Sequence, residues 1–421
     1  MYLNKIKLSN FLFCFALFIS FFPHTTFGIF NLKGSQISLI FPSFFFIFLI
    51  FSFDKIRFNF LILFIFISSI LALVINFYFT NEIYISLVLR TITNYFFFFI
   101  FLACFNTYYY PNEEIIKKII FSANFIWLIW GVVQLLDISS ANFAFTNRSE
   151  HNKLVESRGL NSLATEASYF GMILILFNLF YLFKRKLLYS YLSKLELGYL
   201  IFNFVFIFFV VKSATTSILA MVIIILVFLK NLRLTSLKKI LKFLFFIFAT
   251  VIILSFFEID DSKNRGISYI YTFFNLEDLK SLFYYDLSFN ERTENFIAPI
   301  IGFLINSGMP GGFNGYVHIS DEIRQIFFDL TNLRFIAPIY IENINSFKII
   351  SFFGDFIFQQ GLIGVMIILV ISNKILKKNS LIDSTIILII IFIICIGPQM
   401  TYSFLPLLLF ITMYDNEKIN N

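Results

Sequence analysis

The sequence contains two long polar stretches, residues 137–166 and 258–347, in a chain that is otherwise mostly apolar. Both stretches contain arginines, and the four with the strongest case for ligand binding are Arg148, Arg158, Arg292 and Arg324. A guanidinium group carries a planar fork of N–H donors that matches the oxygens of a phosphate or a carboxylate. These residues therefore predict a site for an anionic ligand. The alternative is that each arginine pairs with an acidic side chain of the same stretch.

A further arginine, Arg90, lies inside the apolar run 84–106. An arginine within a membrane span costs about 2.5–3.5 kcal/mol on insertion scales, so such residues usually face an interior cavity. We predict that Arg90 binds the same ligand. The alternative is that Arg90, which is close to Glu82, reaches the headgroup level instead.

Two residues have the chemistry of a general base. Glu166 stands where the first polar stretch enters an apolar run, a partly desolvated position that favours proton uptake. The alternative is that Glu166 is a helix N-terminal residue, preceded by the capping residue Thr165, that complements the helix dipole. His318, in the second stretch, is the other candidate base, and the alternative for this residue is an exposed loop histidine.

Metal or cofactor chemistry is not predicted. Neither polar stretch contains an Asp-x-Asp pattern or a cluster of His, Asp and Glu. The three cysteines, Cys14, Cys104 and Cys395, fall in separate apolar runs. Their positions therefore predict neither a disulfide nor a zinc site.

The elements that must position these residues are apolar helices. Of the 421 residues, 59% are hydrophobic and 14% are charged, and the mean hydropathy is +0.86. This composition predicts an all-α, polytopic integral membrane protein, with residues 1–421 as one membrane domain. We predict about twelve spans, near residues 8–30, 37–53, 60–79, 84–106, 115–136, 167–183, 197–211, 214–230, 241–257, 348–371, 382–397 and 400–414.

The distribution of basic residues predicts the topology. Of the 32 basic residues, 16 lysines and 3 arginines fall on the side of the two termini, and 6 lysines and 7 arginines fall on the other side. The positive-inside rule then places both termini in the cytoplasm and the two polar stretches outside, as an outer loop at 137–166 and a large outer loop at 258–347. Most of the basic residues behind the net charge of +7 lie in short loops between the predicted spans, where they set the topology. No nucleic-acid partner is therefore predicted.

Within the large loop, residues 297–309 form an apolar run that is too short to span a bilayer. The run is interrupted by Pro299, Gly302 and Gly308. It predicts an interfacial or re-entrant helix, with Arg292 just before it at the membrane interface.

Three segments resemble one family of membrane enzymes. Residues 158–171, RGLNSLATEASYFG, resemble the arginine, Ser-Leu and Glu-Pro-Ser-aromatic pattern of bacterial O-antigen and exopolysaccharide polymerases. Residues 211–217, VKSATTS, resemble the serine-rich turn of that family, and residues 352–364 resemble its run ending in Gly-Leu-Ile-Gly. Arg148 and Gly159 have the Arg-x10-Gly spacing of outer loops in such polymerases. The superfamily also includes the O-antigen ligases.

Three features differ from the family pattern. Ala167 stands where the pattern has proline, and the turn at 211–217 lacks the arginine that often follows the serine. The histidine-asparagine pair that ligases carry before the Gly-Leu-Ile-Gly run has no histidine here, only Asn345 and Ser346. The resemblance therefore favours a polymerase over a ligase.

The resemblance implies a membrane glycosyltransferase of the bacterial inner membrane, and the absence of metal-binding patterns predicts that it is metal-independent. Its substrate would be an oligosaccharide repeat unit linked through pyrophosphate to a polyprenyl lipid, and a protein that regulates chain length would be a further partner. The residues expected to hold pyrophosphate or sugar are Arg90, Arg148, Arg158, Arg292 and Arg324. The alternatives are a ligase that transfers finished glycan to lipid A core, or a flippase or transporter of lipid-linked oligosaccharide, although the sequence shows no evident half repeat.

Overall fold

The computed structural model describes residues 2–23, 25, 40–60, 62–64, 67, 70, 85–136, 160, 162–164, 167–184, 192–231, 283–284, 287–311, 315–335, 351–396 and 403–413. Every secondary-structure element of three or more residues in this part of the chain is a helix. The prediction of an all-α fold is therefore confirmed for the described residues.

Most of the helices follow the apolar runs of the sequence. In chain order they are α1 (Tyr2–Ser20), α2 (Ile40–Ser52), α3 (Ile85–Tyr108), α4 (Glu113–Leu135), α5 (Ala167–Lys184), α6 (Lys194–Val205), α7 (Ala214–Asn231), α8 (Leu287–Ile305), α9 (Gly315–Thr331), α10 (Phe352–Lys378), α11 (Leu381–Ile396) and α12 (Phe404–Met413). Helix α6 continues into a wider turn of π-helix at Phe206–Val211. The predicted span at 241–257 lies outside the described residues.

Some boundaries differ from the prediction. Helix α1 ends at Ser20, whereas hydropathy extended the first span to residue 30. Residues 21–23 form a turn that includes Pro23, whose ring and missing N–H do not suit a helix interior. Helix α10 continues to Lys378, beyond the predicted end at residue 371.

Four helical segments in the described part are long and apolar enough to cross a membrane. They are Tyr110–Leu135, Ala167–Lys184, Lys194–Val211 and Phe356–Lys378. A helix satisfies most of its backbone hydrogen bonds within itself, which is the condition for crossing hydrocarbon.

The chain divides into two compact units. The first comprises residues 1–56, 104–275 and 403–412, and the second comprises residues 57–103, 276–402 and 413–421. Helix α3 contributes to both units.

In the first unit, α5 is the enclosed helix. Every residue from Phe170 to Phe183 is buried, beneath neighbours that include α4, α6 and α7. Trp127 of α4 stacks on Phe170, with ring centroids 5.8 Å apart, and donates its indole N–H to the carbonyl of Phe21 at 3.0 Å. These aromatic contacts and the indole hydrogen bond help to fix how α4 and α5 pack.

Ion pairs fix α4, α5 and α6 at the end of α5 that carries Lys184. Lys184 lies 3.1 Å from Glu113, and Lys117 lies 3.7 Å from the buried carboxylate of Glu196. Glu196 also closes a capping box with Ser193 at the start of α6. The same carboxylate thus satisfies a helix end and pairs with a neighbouring helix.

The second unit contains α8, α9, α10 and α11. Its hydrophobic core consists of Phe283, Ala298, Ile301, Ile323, Phe327, Phe335 and Phe358. The rings of Phe327 and Phe335 stack with centroids 3.9 Å apart. The large polar stretch therefore contains two packed helices, α8 and α9.

Candidate functional site

The structure describes four of the seven predicted site residues at the level of the backbone. Arg148, Arg158 and Glu166 lie outside the described residues. Arg90 lies in the first two turns of α3, in agreement with the predicted run. Arg292 lies on α8, and His318 and Arg324 lie on α9.

His318 is in a helix rather than in a loop. It is the fourth residue of α9, which begins at Gly315. The alternative of a loop histidine is therefore wrong about the local structure. The helix is amphipathic, and its apolar residues after Gly315 pack against α8.

The first segment of the family resemblance is anchored by Gln134 of α4. The amide of Gln134 accepts the N–H of Ser162 at 2.7 Å and donates to the carbonyl of Ser162 at 3.0 Å. The hydroxyl of Ser162 donates to the carbonyl of Trp127 at 2.8 Å. Ser162 has a left-handed backbone, with φ of 49°, and is buried together with Leu163 and Ala164. The chain four residues before Glu166 is therefore fixed on α4.

The first and second segments of the resemblance meet in space. A Cβ atom at Gly171 of α5 would lie 2.6 Å from the hydroxyl oxygen of Thr216 on α7. The two helices can approach this closely because Gly171 has no side chain. The N–H of Leu160 donates to the carbonyl of Val210 at 3.1 Å. Two segments about 45 residues apart in sequence thus form one structural site.

The second segment places a lysine and a helix start at this site. Lys212 follows the π-helical turn, has a left-handed backbone with φ of 51° and is half-buried. Helix α7 begins two residues later, at Ala214, and the hydroxyl of Thr216 donates to the carbonyl of Ser213 at 3.1 Å. The first N–H groups of a helix have no partner within the helix, so a cation beside them makes a setting suited to an anion.

In the second unit, Arg324 is paired with a buried carboxylate. Its Nε lies 3.3 Å from Oε1 of Glu294, which is fully buried on α8, and another of its nitrogens lies 3.7 Å from Asp321. The alternative of pairing with a loop carboxylate therefore describes this arginine. A buried carboxylate requires such a partner, because transfer of an isolated charge from water is strongly unfavourable.

The third segment of the resemblance contains a break in α10. Gly361 has non-helical dihedral angles, φ 58° and ψ −141°. A Cβ atom there would clash with the carbonyl oxygen of Gly308. The N–H of Leu362 donates to that carbonyl, and the N–H of Gly311 donates to the carbonyl of Phe358, both at 2.8 Å. Glycine is required at 361 both for the conformation and for the close approach.

Sequence reasoning missed three residues that organise these sites: Gln134, Thr216 and Glu294. Only Thr216 lies in a segment that resembles the family. A glutamine or glutamate in a polar or apolar run carries no local signal of its partner, because each of these contacts joins residues far apart in sequence.

Within the described residues, no group of three or more His, Cys, Asp and Glu side chains is arranged to hold a metal ion. The long apolar helices indicate a membrane protein. Comparisons with protein-family models, curated proteins and solved structures found no significant match for this chain.

Proposed function

We propose that this chain is a membrane glycosyltransferase that polymerises oligosaccharide repeat units of a surface polysaccharide such as O-antigen, at the outer face of the bacterial inner membrane. The observation that supports this most is the contact between Gly171 and Thr216. It brings together the two segments, 158–171 and 211–217, that resemble polymerase motifs. A shared active site requires this proximity, because both segments would contribute to it.

The proposed reaction is inverting glycosyl transfer. A hydroxyl oxygen of one repeat unit forms a bond with the anomeric carbon of a growing chain, while the bond from that carbon to the pyrophosphate oxygen breaks. The hydroxyl proton passes to a base, and polyprenyl pyrophosphate leaves with the bonding electrons. Negative charge builds on the leaving group, so fixed cations and N–H donors around it are the main source of rate enhancement.

Residues of the first unit are assigned to these roles. Glu166, which directly precedes α5, is the proposed base. Arg158 and Lys212, with the start of α7, are proposed to hold the pyrophosphate. The two hydrogen bonds between Gln134 and Ser162, here called the Gln134 clamp, support this assignment because they fix the chain between Arg158 and Glu166. Catalytic groups on a short fixed segment lose little entropy on binding.

A flippase or transporter of the same lipid-linked substrate is the second candidate, and one observation favours it. The break in α10 at Gly361 creates two half-helices, and discontinuous helices form substrate sites in many transporters. In this chain, however, the break is filled by the backbone of residues 308–311, which leaves the half-helix ends bonded to protein.

The test is the surface glycan of a deletion strain complemented with wild type, Arg158→Ala, Glu166→Gln or Lys212→Ala. The matched control is Lys377→Ala, which removes an exposed lysine near the end of α10. On a gel that resolves repeat units, the deletion should leave core capped with one unit. Wild type and the control should restore the ladder, and the three site variants should not, at equal membrane levels. A full ladder from all three variants would refute the proposed site.

A further inference from the structure

Helix α8 runs parallel to the first part of α10. Gly354 of α10 packs on the carbonyl oxygen of Asn295 and on the ring of Pro299, and further along, Phe358 packs on Gly302. The contact between Gly308 and Leu362 continues the same direction. Both helices therefore begin at the same end of this unit, and α8 proceeds alongside α10 for about two and a half turns.

Helix α9 returns along α8. Ile323 of α9 lies next to Gly302, and Phe327, one turn later, packs on Phe283, which precedes α8 in the chain. The two helices therefore form a hairpin, with residues 306–311 near its tip. The two backbone hydrogen bonds at the break in α10 hold this tip in place.

The tip carries apolar side chains that are exposed. Leu304 and Met309 are 66% and 61% exposed, and on α10 the neighbouring Leu362 and Met366 are 57% and 59% exposed. The surface is thus continuous with the exposed side of α10, one of the helices suited to cross a membrane.

The position of Gly361 along α10 gives a depth. Lys377 marks the basic end of α10, and the sixteen residues from Gly361 to Lys377 rise by about 24 Å. A hydrocarbon layer is about 30 Å thick, so Gly361 would lie roughly 6 Å below the opposite surface. The tip of the hairpin at this level would also be below that surface, whereas the polar start of α8 would remain above it.

We propose that α8, α9 and residues 306–311 form a re-entrant hairpin whose tip contacts the acyl chains of the bilayer through Leu304 and Met309. Of the two forms expected for the apolar run 297–309, this selects the re-entrant one. Gly308 and Gly361 allow the backbone of the tip to approach the break in α10 closely. Transfer of the apolar side chains of Leu304 and Met309 from water to lipid is favourable. The hairpin does not depend on the reaction that the chain catalyses.

The test uses full-length protein in lipid vesicles, with Cys14, Cys104 and Cys395 replaced by alanine. A bimane fluorophore is attached at Met309→Cys, at Met366→Cys as the lipid-facing reference on α10, or at Gln325→Cys as the exposed polar reference on α9. Lipids with brominated acyl chains should quench positions 309 and 366 at least about threefold more than position 325. Aqueous iodide should show the opposite order.

A second variant tests whether the contact with the break in α10 holds the tip of the hairpin in place. Gly361→Ala should abolish lipid quenching at position 309 and preserve it at position 366, because the new Cβ excludes the backbone of residue 308. Gly198→Ala, where a Cβ meets no atom within 4 Å, should change neither. Iodide quenching at 309 as strong as at 325, with no lipid quenching there, would overturn the re-entrant hairpin. Lipid quenching at 309 that persists in Gly361→Ala would overturn the role of the break.

Discussion

Gln134 and Ser162 are joined by two hydrogen bonds, so that a single side-chain amide satisfies both backbone groups of a buried residue. A strand or helix would normally supply such partners. Here one glutamine of α4 replaces them, and the chain that leads to Glu166 is fixed without regular secondary structure.

Replacing Gln134 with alanine is expected to destabilise the protein. The N–H and carbonyl of Ser162 lose their partner inside the protein, at a cost of about 1–3 kcal/mol for each buried group. Thermal unfolding of the purified protein in detergent measures the effect. The control is Val132→Ala, on an exposed position of the same helix. Equal melting temperatures for the two variants would show that the clamp contributes nothing.

The contact between α5 and α7 predicts that a larger side chain at residue 171 destabilises the protein, and that a smaller one at residue 216 offsets this loss. Gly171→Ala places a methyl group against Thr216 and should cost about 1–3 kcal/mol through overpacking. Thr216→Ala in the same molecule removes two of the three closest atoms, the hydroxyl oxygen and the γ-methyl carbon, and should recover part of this loss. Gly198→Ala is the matched control, since its Cβ meets open space. A double variant no more stable than Gly171→Ala alone would contradict the contact.

Arg324 pairs with a buried carboxylate, Glu294, and an exposed one, Asp321, and we predict that only the pair with Glu294 contributes much to stability. Arg324→Ala removes a cation from a fully buried carboxylate, which should cost roughly 3 kcal/mol. Asp321→Ala removes the other, exposed partner and should have little effect, because solvent screens that pair. Glu294→Gln combined with Arg324→Ala should be less destabilising than Arg324→Ala alone. If the two single variants unfolded at the same temperature, Glu294 would not be the main partner.

The helices that sequence predicted well are those with long, uninterrupted apolar runs. The runs at 115–136 and 167–183 became Glu113–Leu135 and Ala167–Lys184, because hydrocarbon requires both length and hydrophobicity and leaves few other solutions. Such a signal is local, and one sequence is enough to read it.

Helix α9 was missed because it is amphipathic and lies in a polar stretch. A search for apolar runs does not detect it, although Ile319, Ile323 and Phe327 recur every four residues and carry the helical period. The break at Gly361 had no comparable signal, because a glycine inside an apolar run is equally compatible with an unbroken helix. Its role depends on Gly308, about fifty residues earlier, and only the folded chain shows the two together.

The most direct test of the proposed polymerase is the pool of lipid-linked glycan in the membrane. Outward-facing glycan is first labelled on intact spheroplasts with a membrane-impermeant oxidant, then released from polyprenyl pyrophosphate by mild acid and sized by mass spectrometry, with and without this chain. The account predicts that loss of the chain leaves lipid-linked single repeat units facing outward, and that its return extends them into polymer. Polymer that still accumulates on the lipid carrier without this chain would contradict a polymerase and indicate a ligase. Loss of all outward-facing units would contradict it as well and indicate a flippase.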